Sequence, residues 1–358
     1  MNDSGKIRVA VNGYGVIGKR VAAAIRVQED MVLVGVADIG ADWRLKVAAQ
    51  IGIALYAAAP EFAEAMQRAG INVSGSLPDL IAAADVIVDC TPKGIGETNA
   101  ELYRRADKPF IVQGGEKHSV SGHSFVAESS YASAIGRPAT RVVSCNTTSI
   151  VRTLTALKRA GLLLRARGTL LRRATDPWES DHSGIMNTLV PEPNIPSHQG
   201  PDAQHVDPDL DLVTMAVKVP ETIGHLHYWS VQMTRTASED EVIAAFLTSS
   251  RIAPVRTADG LGSLNAVKEM MADLGRPYAN LYEVALWTDM LRVQGDELFY
   301  AYMVDNQAIV IPETIDAIRA LSGRVTDVDA SIASTNASLG IGEMRVTDHP
   351  HAGVEDSS

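Results

Sequence analysis

A short apolar strand, I-R-V-A-V-N, runs directly into N-G-Y-G-V-I-G-K-R near the start of the chain, and this junction limits the available folds more than any other stretch. Gly13, Gly15 and Gly18 have the G-x-G-x-x-G spacing, and residues 16–26 read as an amphipathic helix. In such a unit the first glycine permits a tight turn, the second lets backbone approach a pyrophosphate, and the third lets helix and strand pack closely. A second strand, residues 31–36, leads to Asp38, twenty residues after Gly18. An acid there accepts hydrogen bonds from a ribose 2′-OH and repels a 2′-phosphate, which predicts a dinucleotide site that prefers NAD, with NADP as the alternative. A solvated loop carboxylate is the other reading of Asp38, and nearby Arg44 is able to meet a phosphate.

The pattern continues as alternating strands and helices. Residues 41–70 are Ala-rich and helical in spacing, and the apolar V-I-V-D strand then opens into C-T-P-K-G-I-G. Thr91, Pro92, Lys93 and Gly94 therefore sit at a strand's C-terminal end, where open α/β sheets bind ligands. A further buried strand, F-I-V, opens into Q-G-G-E-K-H, whose Gly114 and Gly115 let backbone come close to a ligand. The expected first unit is α/β, a Rossmann doubly wound parallel sheet.

That sheet ends at V-V-S-C-N-T-T-S, residues 142–149. Cys145 stands at a strand-to-helix junction, followed by Asn146, Thr147 and Thr148, side chains that cap helix starts. Unsatisfied N–H groups and the helix dipole favour its thiolate, so Cys145 is a candidate nucleophile; a buried core thiol is the competing reading. A helix terminus supplies about 0.3 to 2 kcal/mol, which lowers a thiol pKa of about 8.5 only to about 7. A histidine partner is needed for more, and G-H-L-H-Y-W offers His225 and His227 on one face of a strand. Arg172, Arg173, Thr175, Thr148 and His198 are the donors a phosphorylated substrate requires. Cys90 reads as a packed strand-end thiol.

Beyond residue 161 the strands lengthen, over residues 162–174, 212–219 and 226–234, with further strand signal at residues 252–255, 281–287, 290–293 and 298–304. Hairpin-length gaps predict a second, α+β domain with a mostly antiparallel sheet, whose open face pairs with another subunit. A chain of 358 residues has room for two cores. Residues 312–321 and 327–339 return to helical spacing, and a polar, acidic tail follows Gly342. The net charge of −11, with no basic run longer than a pair such as Arg172-Arg173, argues against nucleic acid as partner. No apolar run approaches a membrane span and no signal sequence opens the chain, so a cytoplasmic protein with reduced thiols is expected. The two cysteines and scattered histidines lack metal-site spacing, and no G-x-S-x-G occurs.

With these residues in place, the chain resembles the archaeal-type (type II) glyceraldehyde-3-phosphate dehydrogenases over residues 7–342. The resemblance is carried in order by V-N-G-Y-G-V-I-G-K-R-V, V-D-C-T-P-K-G-I-G, Q-G-G-E-K, V-V-S-C-N-T-T-S, R-R-A-T-D-P, I-P-S-H-Q-G-P-D, T-M-A-V-K-V-P-E-T-I-G-H-L-H and I-V-I-P-E-T-I-D-A-I-R-A. It implies a dinucleotide-binding domain over residues 1–144, a catalytic domain over 145–311, C-terminal helices over 312–341 that dock back on the first domain, a polar tail over 342–358, and a homotetramer. Cys145 matches the family nucleophile and His225 the catalytic base; Val16 and Ile17 match the cofactor turn, and Gly114 or Gly115 a further cofactor contact. Ser144 and Asn146 flank the nucleophile in the substrate site, His198 and Gln199 lie in a substrate loop, and one of Arg172 and Arg173 matches a family arginine near the cofactor and the substrate phosphate. Family members usually carry alanine in place of Cys90, a lysine suited to NADP in place of Asp38, and glutamine beside the nicotinamide in place of Asn306. The implied reaction oxidises glyceraldehyde 3-phosphate with inorganic phosphate and NAD(P) through a cysteine thioester. A related semialdehyde or acyl-phosphate reductase and a non-catalytic dinucleotide-binding scaffold are the alternatives.

Overall fold

A computed structural model describes residues 5–175 and 189–342. The acidic tail after Gly342, and Asp176 and Pro177 of the R-R-A-T-D-P motif, lie outside the described residues.

The first sheet contains β1 (Ile7–Asn12), β2 (Met31–Asp38), β3 (Leu55–Ala57), β4 (Val73–Ser76), β5 (Val86–Asp89), β6 (Phe110–Val112), β7 (Ser124–Phe125) and β8 (Ala139–Val142). Its order is β4-β3-β2-β1-β5-β6-β8-β7 and every pairing is parallel. Strands β5 and β6 are buried at every position, as helix-covered parallel strands must be, and this is why they are continuous apolar runs. Strand order reverses between β1 and β5, so the crevice at the C-terminal ends of these strands faces the glycine-rich turn. Residues 41–70, expected to be helical throughout, contain the short strand β3 between helices Trp43–Gln50 and Pro60–Arg68. Three residues of strand carry too little periodicity to stand out among alanines.

The second sheet contains β9 (Leu163–Arg173), β10 (Val190–Pro191), β11 (Leu212–Val219), β12 (Gly224–Met233), β13 (Ile252–Val255), β14 (Val284–Trp287), β15 (Arg292–Gln294) and β16 (Glu297–Asp305). Its order is β10-β11-β9-β12-β16-β14-β13, with β15 on β16. The sheet is mixed: its centre is antiparallel, while β9–β11 and β13–β14 are parallel pairs. Along the middle of β9, Ala166, Gly168 and Leu170 are buried while Arg165, Arg167 and Thr169 are exposed, as one covered and one open face require.

Helix Cys145–Arg159 joins the two sheets, and Ser144 caps it by accepting a hydrogen bond from the Thr147 N–H. Asn146, Thr147 and Thr148, read from sequence as caps, lie inside the first turn and are buried. Helix Val310–Ser322 packs against helices Ala127–Ala134 and Val16–Arg26, and helix Val328–Leu339 packs on it in turn. Burial of nearly every residue of Val310–Ser322 explains why its helical spacing is less strict than that of a surface helix.

Candidate active site

The turn after β1 is built by its glycines. Gly13 has φ +94°, a conformation other residues rarely adopt, and a Cβ on Gly18 would lie 1.8 Å from the Gly13 carbonyl oxygen. A Cβ on Gly15 would meet nothing within 4 Å, and no side chain caps the helix that starts at Val16. Open space before uncapped N–H groups is what a pyrophosphate needs, so these residues fit a dinucleotide. Asp38 closes the turn: its carboxylate accepts from the Tyr14 N–H (2.6 Å) and the Gly40 N–H (2.7 Å). Arg44 is held by Asp42 at 2.7 Å. At the end of β5, the Thr91 N–H and hydroxyl both bond Asp89 Oδ1, and Thr91 stands beside this turn, its nitrogen 3.0 Å from where a Cβ on Gly13 would lie.

A cleft of about 850 Å³ lies between the two sheets. It brings together Ile17, Gly114, Gly115, Ser144, Cys145, Asn146, Arg172, Arg173, His198, His225 and Asn306 from the residues selected by sequence. Gly114 is needed for this closeness, since a Cβ there would stand 2.4 Å from the Ser144 nitrogen. The glycine-rich turn, Asp38, Thr91 and Pro92 lie outside its lining, and so do Thr175 and two residues selected for the substrate, Thr148 and Gln199. Thr148 is fully buried in the turn that Cys145 opens, its hydroxyl 3.5 Å from the Val143 carbonyl, because the first helical turn rotates it inward. Gln199 is also buried; with its amide nitrogen donating to Ser197 Oγ (2.7 Å), its oxygen accepts from Arg172 Nε (3.3 Å), so it positions that arginine. Sequence reasoning missed the lining residues Lys117, His118, Arg141, His205 and Lys218. The signal for Lys218 was a cation near the end of an apolar strand, but its neighbour is set only by sheet pairing.

Cys145 Sγ lies 3.2 Å from His225 Nε2. On the far side of the ring, the Arg173 main-chain N–H donates to His225 Nδ1 at 3.0 Å. An Nδ1 that accepts carries no proton, so the neutral imidazole has its hydrogen on Nε2, facing the sulfur. His227 occupies the same strand face but serves a different purpose: it is fully buried, bonded to Asn146 Oδ1 (2.8 Å) and the Tyr302 hydroxyl (2.8 Å). It holds Asn146 and does not reach the thiol.

The expected cationic histidine is not favoured here. Burial, then the charges of His227, Arg173 and Arg172, hold His225 well below its ordinary pKa. Burial pushes Cys145 up to about 11, against the pull of Arg173, the Asn146 N–H and Arg172. In the free protein the pair is therefore a neutral thiol beside a neutral imidazole. The alkylation rate of Cys145 is accordingly expected to climb about tenfold per pH unit from pH 7 to about 10. A plateau reached below pH 8, as an imidazolium–thiolate pair would produce, is the contrary result. Cys90 is pushed well above its ordinary value by burial and by Asp89, consistent with a packing role.

Comparison with known proteins decides the family. The family described as "Glyceraldehyde 3-phosphate dehydrogenase, C-terminal domain" matches residues 144–272, and that described as "Dihydrodipicolinate reductase, N-terminus" matches residues 7–116. The glyceraldehyde-3-phosphate dehydrogenase of Methanobrevibacter smithii is 42% identical over 335 residues, covering 93% of this chain and 99% of the relative. Those of Archaeoglobus fulgidus and Pyrococcus furiosus are each 43% identical, covering 95% and 94% of this chain and 99% of each relative. The chain belongs to the glyceraldehyde-3-phosphate dehydrogenase family. As a member of that family it is an oxidoreductase with a Rossmann-type domain for a nicotinamide dinucleotide. Among the described residues no helix is long and apolar enough to cross a membrane, and no group of three or more His, Cys, Asp or Glu is arranged to hold a metal.

Proposed function

We propose that this dehydrogenase oxidises glyceraldehyde 3-phosphate in the presence of inorganic phosphate to the acyl phosphate, with Cys145 as nucleophile. The observation that carries the reading is the Cys145–His225 contact of 3.2 Å inside a cleft that also holds Arg172, Arg173 and His198. The thiol loses its proton to solvent, because His225 Nε2 already carries one. The resulting thiolate attacks the aldehyde carbon; the S–C bond forms and the oxygen becomes an alkoxide that accepts the Nε2–H hydrogen bond. His225 thus acts as a donor to developing negative charge rather than as the expected proton acceptor. The nicotinamide, when bound along Ile17, Gly114 and Asn306, supplies the hydride acceptor. Loss of hydride leaves a thioester on Cys145; a phosphate oxygen then attacks it, the S–C bond breaks, and the thiolate returns to the Nε2–H. Purified protein given glyceraldehyde 3-phosphate, phosphate and NAD should form reduced nicotinamide; no formation with either NAD or NADP would refute the reading.

NAD is the preferred cofactor in this proposal. Asp38 keeps negative charge where a 2′-phosphate would sit, and Arg44 is already committed to Asp42. Asp38→Lys would disturb the turn as well as the charge, since Asp38 accepts the Tyr14 and Gly40 N–H groups. Asp42→Ser is the cleaner change, because a serine keeps the helix cap while releasing Arg44. The variant should bind NADP about threefold to tenfold more tightly with NAD affinity unchanged, read by titration of each cofactor. Tighter binding of NADP than NAD by the native protein would overturn the preference.

Met215 and Tyr228, 46% and 45% exposed on the open face of the second sheet, support association of subunits into a homotetramer. Light scattering that returns a monomer mass would contradict this. A nucleophile that must remain a free thiol suits the reducing cytoplasm, a placement that cell fractionation checks.

A further inference from the structure

The cations around the cleft are not alone. Arg172 on β9 and Lys218 on β11 are direct partners in the parallel register, so their side chains leave the sheet on the same side. Both line the cleft together with His198. Just beyond β10, Glu192 is fixed to β11 by its main-chain N–H, which donates to the Ala216 carbonyl at 2.8 Å. From there its two carboxylate oxygens reach two of the lining groups: Oε2 accepts from Arg172 Nη1 at 2.7 Å, and Oε1 lies 3.0 Å from His198 Nδ1. Burial pushes the Glu192 carboxyl up, but the hydrogen bond and charge of His198 and the charges of Arg172 and Lys218 outweigh it and hold the group below its ordinary value. Glu192 is therefore an anion at neutral pH, already seated on the donors that an incoming phosphate needs.

We propose that Glu192 is the built-in counter-anion of a phosphate subsite formed by Arg172, His198 and Lys218, and that it sets how tightly this enzyme holds phosphate groups. The proposal rests on the functional reading above, which requires phosphate to bind beside Cys145. Its physical content is a charge balance. Arg172 and Lys218 bring two fixed positive charges and Glu192 removes one; a doubly charged phosphate must then bind a weakened site and share Arg172 with a competing carboxylate. The consequence is loose binding and ready release of anions. Lys218 has the opposite role, because it adds charge to the subsite without itself being hydrogen-bonded to Glu192 among the described contacts.

The test measures how well inorganic phosphate, and separately glycerol 3-phosphate, protects Cys145 of the full-length protein from an alkylating reagent at low salt. Glycerol 3-phosphate carries the ester phosphate of the substrate without the aldehyde, so it cannot react with the thiol. In Glu192→Gln the amide keeps the shape and drops the charge; the half-protecting concentration of at least one ligand should fall about fivefold to twentyfold, and the difference should shrink as salt is raised. Lys218→Met should raise it by a similar factor, and this exposed position tolerates the change without loss of fold. A fall confined to glycerol 3-phosphate assigns the subsite to the substrate's own phosphate, and a fall confined to inorganic phosphate assigns it to the attacking one; either supports the proposal. Unchanged or weaker protection of Glu192→Gln by both ligands overturns it, leaving Glu192 as an orienting partner of Arg172. Reduced-nicotinamide formation by the native protein is measured in parallel. Turnover with an unmoved Glu192→Gln sinks only the subsite, whereas a shifted Glu192→Gln without turnover sinks only the reaction.

Discussion

Cys145→Ser should lower the rate of nicotinamide reduction by on the order of 10⁴-fold or more while leaving cofactor affinity within about twofold. A serine hydroxyl is far harder to ionise than a thiol, and nothing around it would make up the difference: His225 presents a hydrogen to position 145 rather than a lone pair. The reagent-accessible thiol should disappear in the same variant, since Cys90 is packed against the glycine-rich turn and its ionisation is suppressed by burial. Cofactor binding is the control that separates chemistry from folding. The glycine-rich turn, Asp38 and Arg44 stand apart from the sulfur, so their titration should be unmoved. Activity within tenfold of the native rate would remove Cys145 from the nucleophile's role and with it the thioester route.

Glu313→Gln should cost about 3 to 5 kcal/mol of stability and lower Tm by roughly 5 °C, an effect read by calorimetry or thermal melts. Glu313 is fully buried on helix Val310–Ser322, and its carboxylate accepts from Arg152 Nη2 (2.6 Å), Arg251 Nη1 (3.1 Å) and the Ala127 N–H (2.6 Å). Both arginines are equally buried, and Arg251 continues to Asp316 at 2.5 Å. Taking this carboxylate out leaves Arg152 without an ion-pair partner among the described residues and Arg251 with Asp316 alone, in a place water does not reach. Arg152 lies on the Cys145 helix, so the network ties that helix to the C-terminal helix and to helix Ala127–Ala134. A neutral glutamine would loosen all three together, and a rise in the exchange of main-chain amides along residues 145–159 should accompany the lower Tm. An unchanged Tm would show that the charge is dispensable and that packing alone holds the helices.

The chemistry-bearing residues were legible where local rules dominate. The glycine-rich turn could be read because strand, turn and helix are contiguous and each glycine answers a short-range steric demand, as the 1.8 Å approach at Gly18 illustrates. Cys145 could be read because a helix start has a local signature. Thr148 was misjudged for the same reason. Its type suits a cap, but only the rotation of the finished turn shows that it points inward, while Ser144 makes the cap. His225 and His227 could be placed on one strand face by period alone, yet their opposite uses follow from what packs against each ring. Cys145 and the Arg173 N–H meet one, Asn146 and Tyr302 the other.

By itself, then, the chain's sequence determined the α/β nucleotide unit, the cysteine at a helix start, the family, and the set of residues from which a candidate site is built. These depend on contacts between near neighbours or on motifs long enough to be specific. Tertiary structure alone decided the protonation and direction of the Cys145–His225 pair, the seating of Glu192 against Arg172 and His198, and the buried Arg152–Glu313–Arg251 core. Cys145 and His225 stand 80 residues apart and Arg152 and Glu313 161, while Glu192, close to His198 in sequence, meets Arg172 only through the pairing of β10, β11 and β9; the charge state in each case depends on how much water the fold excludes. Charge, hydrogen-bond partner and solvent access together set what an ionisable side chain does, and none of the three is local.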